Sequence, residues 1–176
     1  VTDEQLARDV ERCCHLTGEF LLRSGKTSTD YFDKYLFEAD PRLLRRVVEA
    51  MVPLVPAETE MLGGLELGGV PIAAMLSSAT KLPTLFIRKQ AKEYGTCKLA
   101  EGPDPSGRTV LLVEDVITTG GAVRAAADAL RDRGATVRTV VCAIDRSEPG
   151  SHPLAVDGIE VASVLTGADL LSAAGR

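Results

Sequence analysis

The segment Val110-Leu111-Leu112-Val113-Glu114-Asp115-Val116-Ile117-Thr118-Thr119-Gly120-Gly121-Ala122 constrains the fold more than any other part of the chain. An apolar run ends abruptly in two acids and is followed by a small, hydroxyl- and glycine-rich stretch. Thr109 to Val113 are β-branched or aliphatic and suit a strand buried on both faces, whereas GAVRAAADALRDRG from Gly121 reads as a helix ending at Gly134. Thr118-Thr119-Gly120-Gly121 therefore lies where a buried strand hands over to a helix. Such a turn aims backbone N–H groups, two hydroxyls and the positive end of a helix dipole at one point, which suits a phosphate. Carboxylates beside it would repel that phosphate, so Glu114 and Asp115 need another partner, either a sugar diol or a metal ion. Phosphate plus ribose is the implied ligand.

The rest of the chain supplies the matching layers. Residues 2–16 form an amphipathic pattern through Leu6, Val10, Cys13 and Cys14, and EFLLRSGKTSTDYF reads as extended structure around a Ser-Gly turn. Pro41 opens a helical stretch, PRLLRRVVEAMVPLV, at the favoured first-turn position. A short strand at 60–64 is expected to stop at its glycines, followed by a small-residue helix from Val70 to about Ala79. Further strands are expected at 83–88, 110–113, 137–144 and 159–165. Strands alternating with helices predict an α/β fold, a mainly parallel central sheet with helices on both faces. Residues 1–176 read as a single domain with a small N-terminal appendage. Ligands in such folds collect at the carboxyl ends of the strands.

Charge and composition remove several function classes. With 20 Lys and Arg against 25 Asp and Glu the formal net charge is −5, which argues against a generally basic nucleic-acid-binding surface. No apolar run approaches a bilayer span, and VTDEQLARDVERCC is acidic and amphipathic, unlike a secretory leader. The expectation is a cytoplasmic protein without membrane or nucleic-acid partners. Cys13, Cys14, Cys97 and Cys142 lack paired C-x-x-C spacing, and only His15 and His152 could supplement them, so no protein-bound metal is expected. All four read as reduced thiols, with Cys97, on a polar loop, the most oxidisable.

Two other loops carry chemistry. Gly63-Gly64-Leu65-Glu66-Leu67-Gly68-Gly69 fits neither G-x-G-x-x-G nor G-x-x-x-x-G-K-[ST], so it reads as a tight turn or a backbone-amide anion loop. Phe86-Ile87-Arg88-Lys89-Gln90-Ala91-Lys92-Glu93-Tyr94-Gly95 places four charges after a strand and opens a long polar stretch to Gly107. A loop of that length suits a basic lid over an anionic leaving group.

Residues 110–122 closely resemble the phosphoribosyl diphosphate (PRPP) fingerprint of type I phosphoribosyltransferases, and three further segments resemble the orotate phosphoribosyltransferases among them. These are Phe20-Leu21-Leu22-Arg23-Ser24-Gly25-Lys26 with Tyr31-Phe32-Asp33, the Arg88-Lys89-x-x-Lys92 loop, and Asp145-Arg146 after VVCAI. The resemblance covers residues 15–168. It implies the type I fold with residues 1–38 forming a small N-terminal hood. It implies PRPP contacts from Arg23, Arg88, Lys89, Lys92 and Tyr94, diol contacts from Glu114 and Asp115, and 5′-phosphate contacts along Val116, Ile117, Thr118, Thr119, Gly120, Gly121 and Ala122. Tyr31, Phe32, Thr118 and Arg146 would hold orotate, the arginine pairing in a fork with its carboxylate. Lys92 and Asp115 would be the catalytic pair. The implied reaction converts orotate and PRPP to orotidine 5′-monophosphate and pyrophosphate in pyrimidine biosynthesis, with Mg²⁺ delivered on PRPP. A homodimer is implied, with the basic loop 88–107 acting across its interface. Gly68 stands where many bacterial orotate enzymes carry lysine, and Tyr94 where many carry histidine. Transfer to another base, or PRPP sensing without catalysis, are the alternative readings.

Overall fold

The computed structural model describes residues 3–22, 24–89, 99–148, 150 and 152–175. Helix α1, Glu4–Cys14, starts later than its periodicity suggests because the Asp3 carboxylate caps it, accepting from the Gln5 and Leu6 N–H groups. It buries Leu6, Ala7, Val10 and Cys14. His15 is already extended, opening strand β1, His15–Leu21, which pairs antiparallel with β2, Thr27–Phe32. The hairpin is fastened to α1 by Asp33 N–H donating to the Cys14 carbonyl at 2.8 Å.

Two short helical pieces follow. Helix α2, Tyr35–Ala39, is only five residues long and gave no periodic signal in the sequence. Helix α3, Pro41–Met51, is capped by Asp40 and carries Pro at its first position, as its sequence predicts. It yields to a 3-10 turn over Val52–Leu54, where Pro53 has no N–H to continue the α-helical ladder.

The remaining elements form the sheet: β3 Met61–Leu65, α4 Gly69–Thr80, β4 Thr84–Ile87, β5 Ala100–Glu101, β6 Val110–Ile117, α5 Gly121–Arg131, β7 Thr139–Asp145, β8 Glu160–Thr166 and α6 Gly167–Ala173. Its order is β5-β4-β3-β6-β7-β8. Every pairing is parallel except the short edge pairing of β5 with β4. Alternation along the strands separates two cores. Leu111 and Val113 face α1, α3, α4 and α6, whereas Val110 and Leu112 face α5. The expected α/β architecture with helices on both faces is therefore present.

Two further boundaries differ from expectation in ways that shape the site. Strand β3 does not stop at its glycines but runs through Gly63 and Gly64 with all five residues buried. Strand β6 does not end at Val113. Pairing of Val116 with Ile144 and Ile117 with Asp145 carries it four residues further, so the two acids lie within the strand. The glycines serve close packing here. A Cβ on Gly69 would overlap the Val113 carbonyl oxygen, which is main chain and cannot yield. Among the described residues, no helix is long and apolar enough to cross a membrane.

Gly69→Ala is expected to lower unfolding free energy by about 3 kcal/mol, the upper range for overpacking a core. Gly121→Ala, whose Cβ meets nothing closer than the Thr119 hydroxyl at 3.9 Å, should leave it within about 0.5 kcal/mol. Urea unfolding followed by circular dichroism measures both.

Candidate active site

Parallel pairing brings the carboxyl ends of β3, β4, β6, β7 and β8 to one edge of the sheet. Residues 66–68, 88–89, 114–121, 145–146 and 166–167 gather there. The Arg146 N–H donates to the Ile117 carbonyl at 2.8 Å, tying the start of the loop after β7 to the end of β6. Lys89 N–H donates to Glu66 Oε2 at 2.8 Å, tying the loop after β4 to that after β3.

The acids of β6 are deeply placed, Asp115 at 1% exposure and Glu114 at 8%. Glu114 Oε1 accepts from Asp115 N–H at 3.0 Å, and Asp115 Oδ1 accepts from Val116 N–H at 2.7 Å. Asp115 Oδ2 meets the Lys34 ammonium at 2.5 Å. Both this oxygen and Glu38 Oε1 are buried from solvent at the centre of the cluster. Gly68 closes the cluster: a Cβ there would overlap Asp115 Oδ2 and stand 2.7 Å from Glu38 Oε1. No side chain fits at position 68 while Asp115 holds this direction.

Three carboxyl groups and one ammonium thus share a small volume. Burial, then contact with Asp115, pushes the Glu114 carboxyl well above the ordinary carboxylate range, and burial followed by Asp115 does the same to Glu38. Burial also works against charge on Asp115, but contacts with Glu114, Lys34 and Glu38 outweigh it and hold that carboxyl low. Burial would likewise lower the Lys34 ammonium, and the Asp115 carboxylate reverses the effect. These directions favour an ionised Asp115 paired with Lys34⁺ and flanked by protonated Glu114 and Glu38.

The loop after β6 leaves Thr118 and Thr119 exposed and Gly120 in the left-handed region at φ 74°. Gly120 N-caps α5 without any side-chain capping bond, so the first N–H groups of that helix have no cap from the chain itself. The turn thus lies at the start of a helix, where the sequence places it.

A cavity of about 970 Å³ lies beside this edge, between β2 and the ends of β7 and β8. Tyr31, Phe32, Asp145, Arg146, His152 and Thr166 line it. The Arg146 guanidinium carbon stands 5.3 Å from the Phe32 ring centroid, and Tyr31 stacks on Phe20 at 5.4 Å. A flat ring carrying a carboxylate matches two aromatic edges and an arginine. The structure brings Tyr31, Phe32 and Arg146 together here. Thr118 is exposed and is not among the residues lining this cavity. Arg88 is half-buried and Lys89 exposed at the end of β4, whereas Arg23, Lys92, Tyr94 and Cys97 lie outside the described residues.

Sequence reading missed Lys34, Glu38 and His152. Lys34 and Glu38 are four apart, a spacing that ordinarily marks a solvated helix pair. Only the fold reveals that both turn toward β6. His152 Nδ1 accepts from Leu154 N–H at 3.1 Å, and its Nε2 lies 3.6 Å from Asp145 Oδ2. Among the described residues no group of three or more His, Cys, Asp or Glu is arranged to hold a metal ion.

The family model described as phosphoribosyl transferase domain matches residues 43–167. An orotate phosphoribosyltransferase of Nocardioides sp. is 66% identical over 168 residues, covering 96% of this chain and 94% of that protein. The Mycobacterium tuberculosis orotate phosphoribosyltransferase solved with Fe(III) dicitrate superposes with TM-score 0.83 at 32% identity, over 95% of this chain and 97% of that one. The same enzyme solved with PRPP gives TM-score 0.78 at 29% identity, over 95% and 97% of the two chains. A strand-borne acid pair, an uncapped helix start and an arginine-lined aromatic cavity, in a chain with these relatives, place it in the orotate phosphoribosyltransferase family.

Proposed function

We propose that this chain transfers the 5-phosphoribosyl group of PRPP to orotate, giving orotidine 5′-monophosphate and pyrophosphate for pyrimidine biosynthesis. The observation that carries the reading is the juxtaposition on one sheet edge of the buried Glu114–Asp115 pair, the open start of α5 and the Tyr31–Phe32–Arg146 cavity. The acids accept hydrogen bonds from the ribose 2′- and 3′-hydroxyls. Residues 116–122 bind the 5′-phosphate through backbone N–H groups and the threonine hydroxyls. Arg146 pairs with the orotate carboxylate, with Tyr31 and Phe32 framing the ring.

Charge development fixes the roles. As the C1–O bond to pyrophosphate breaks, the ribosyl ring gains positive charge and the leaving group gains negative charge. Simultaneously an orotate ring nitrogen attacks C1 from the opposite face. Asp115 supplies negative charge near the ring, while Arg23, Arg88, Lys89, Lys92 and Tyr94 serve the pyrophosphate. Mg²⁺ belongs to the substrate, bound to the oxygens of PRPP, and neutralises part of the diphosphate charge. We read residues 1–176 as one domain with 1–38 as a hood, working in the cytoplasm as a homodimer whose basic loop 88–107 reaches the partner's site.

Orotate absorbance is expected to fall only when PRPP and Mg²⁺ are both present; PRPP binding without turnover would instead favour a sensor or another base. Arg146→Ala should lower kcat/KM for orotate roughly 100-fold, because hydrogen bonds to a charged group contribute about 1.5–3 kcal/mol each. Lys92→Ala should retain PRPP binding in calorimetry and lose turnover at least about 100-fold, the scale for one transition-state charge contact.

The acid pair predicts a pH signature. A carboxyl raised in the folded state binds protons there that the unfolded chain has already lost, so Glu114 lowers stability as pH rises above its ordinary value of 4.5. Glu114→Gln keeps a neutral polar group and removes that slope. Its Tm should exceed that of the parent by about 3 °C or more at pH 8, converge with it near pH 4.5, and come with weaker PRPP binding. Differential scanning fluorimetry across pH measures the first effect and calorimetry the second.

A further inference from the structure

Strand β6 receives a cation from an unexpected place. Lys34 precedes α2, in the N-terminal segment, yet its ammonium crosses to Asp115 Oδ2 at 2.5 Å, leaving the lysine side chain 34% exposed and the aspartate 1%. Gly68 contributes no side chain to this point, and its backbone stands so close to Asp115 Oδ2 and Glu38 Oε1 that none could enter. We propose that Lys34 is a positioning residue for the transfer reaction: it fixes the charge and direction of the Asp115 carboxylate that receives the ribose diol.

The argument is one of charge in a confined volume. Among the described residues, the titratable groups facing Asp115 are Lys34 and Glu38 from the N-terminal segment, Glu114 on its own strand and Cys142 on β7. Asp33 and Tyr35 adjoin Glu38 and Lys34, and the start of α4 brings only the uncharged Gly68 and Gly69. Lys34 is the one cation in that set. With it, Asp115 is ionised and Glu114 and Glu38 are neutral. Without it, burial of the Asp115 carboxylate is no longer offset by a cation, which favours a proton on Asp115 as well. A protonated Asp115 has lost its charge, and one of its acceptor sites toward the two hydroxyls has become a donor. Its Oδ2, aimed by the ammonium, also loses the contact that turns it toward Gly68.

The inference rests on the PRPP reading of this site, and PRPP binding without orotate tests it independently of turnover. Calorimetry with magnesium and PRPP is run from pH 6 to 9 on the parent, Lys34→Ala, Lys34→Gln and Lys34→Arg, with thermal unfolding confirming that each is folded. Ionisation of PRPP itself is common to all four and cancels in the comparison. Lys34→Ala and Lys34→Gln are expected to bind PRPP at least about 10-fold more weakly at pH 6.5, the equivalent of about one unit in the Asp115 carboxyl. That deficit should shrink as pH rises, moving the acid limb of binding up by about one unit, and Lys34→Arg should restore it. In steady state the loss should fall on KM for PRPP, with KM for orotate within about twofold. Equal loss at every pH would assign Lys34 a structural role only, and PRPP affinity unchanged by Lys34→Gln would overturn the proposal. Failure of the parent to consume orotate while binding PRPP would remove orotate transfer and leave the Lys34 comparison intact. If the Lys34→Ala chain does not fold, Lys34→Gln against Lys34→Arg decides.

Discussion

Everything at this site depends on the pairing of β6 between β3 and β7. Its first four residues are buried on both faces and set the strand's depth in the sheet. Because pairing with β7 continues to Ile117, Glu114 and Asp115 emerge as fixed members of a ladder and not as loop residues. A carboxylate on a loop would relax toward water. Held at 1% exposure, Asp115 must instead find its compensation within the protein, and Lys34 provides it.

Much of the architecture is legible in the sequence, because it rests on signals that act locally. Asp40 with Pro41 marks the start of α3, and VLLV and VVCAI mark two central strands by composition alone. What was not legible depends on neighbours distant in sequence. The glycines at 63 and 64 look like a stop, and only the side chains of Ile87, Val110 and Leu112 around Gly63 and the approach of α4 to Gly64 explain why a strand passes through them. Helix α2 and strand β5, five and two residues long, are too short to show a period.

The same division holds at the site. The acid pair, the Thr-Gly turn and Arg146 could be read because each is a contiguous motif whose residue types match one chemical task. Lys34 and Glu38 could not, since their spacing is that of a surface pair and their partner lies some 80 positions away on β6. The N-terminal segment therefore does more than roof the base cavity with Tyr31 and Phe32. It also carries Lys34 to the Asp115 carboxylate. The aromatic wall of the cavity and the cation at the acid pair thus come from one short stretch, residues 31–38.

The backbone bond from Arg146 N–H to the Ile117 carbonyl has a consequence for how such a site diversifies. It makes the spacing between Arg146 and the acid pair a property of main-chain register, independent of any side chain in the cavity. The site behaves as a ruler with one end interchangeable. Tyr31, Phe32, Arg146 and His152 line the cavity with side chains, while the acid pair stays where the pairing of β6 with β7 places it. The cavity wall can vary without disturbing the register that fixes the acids.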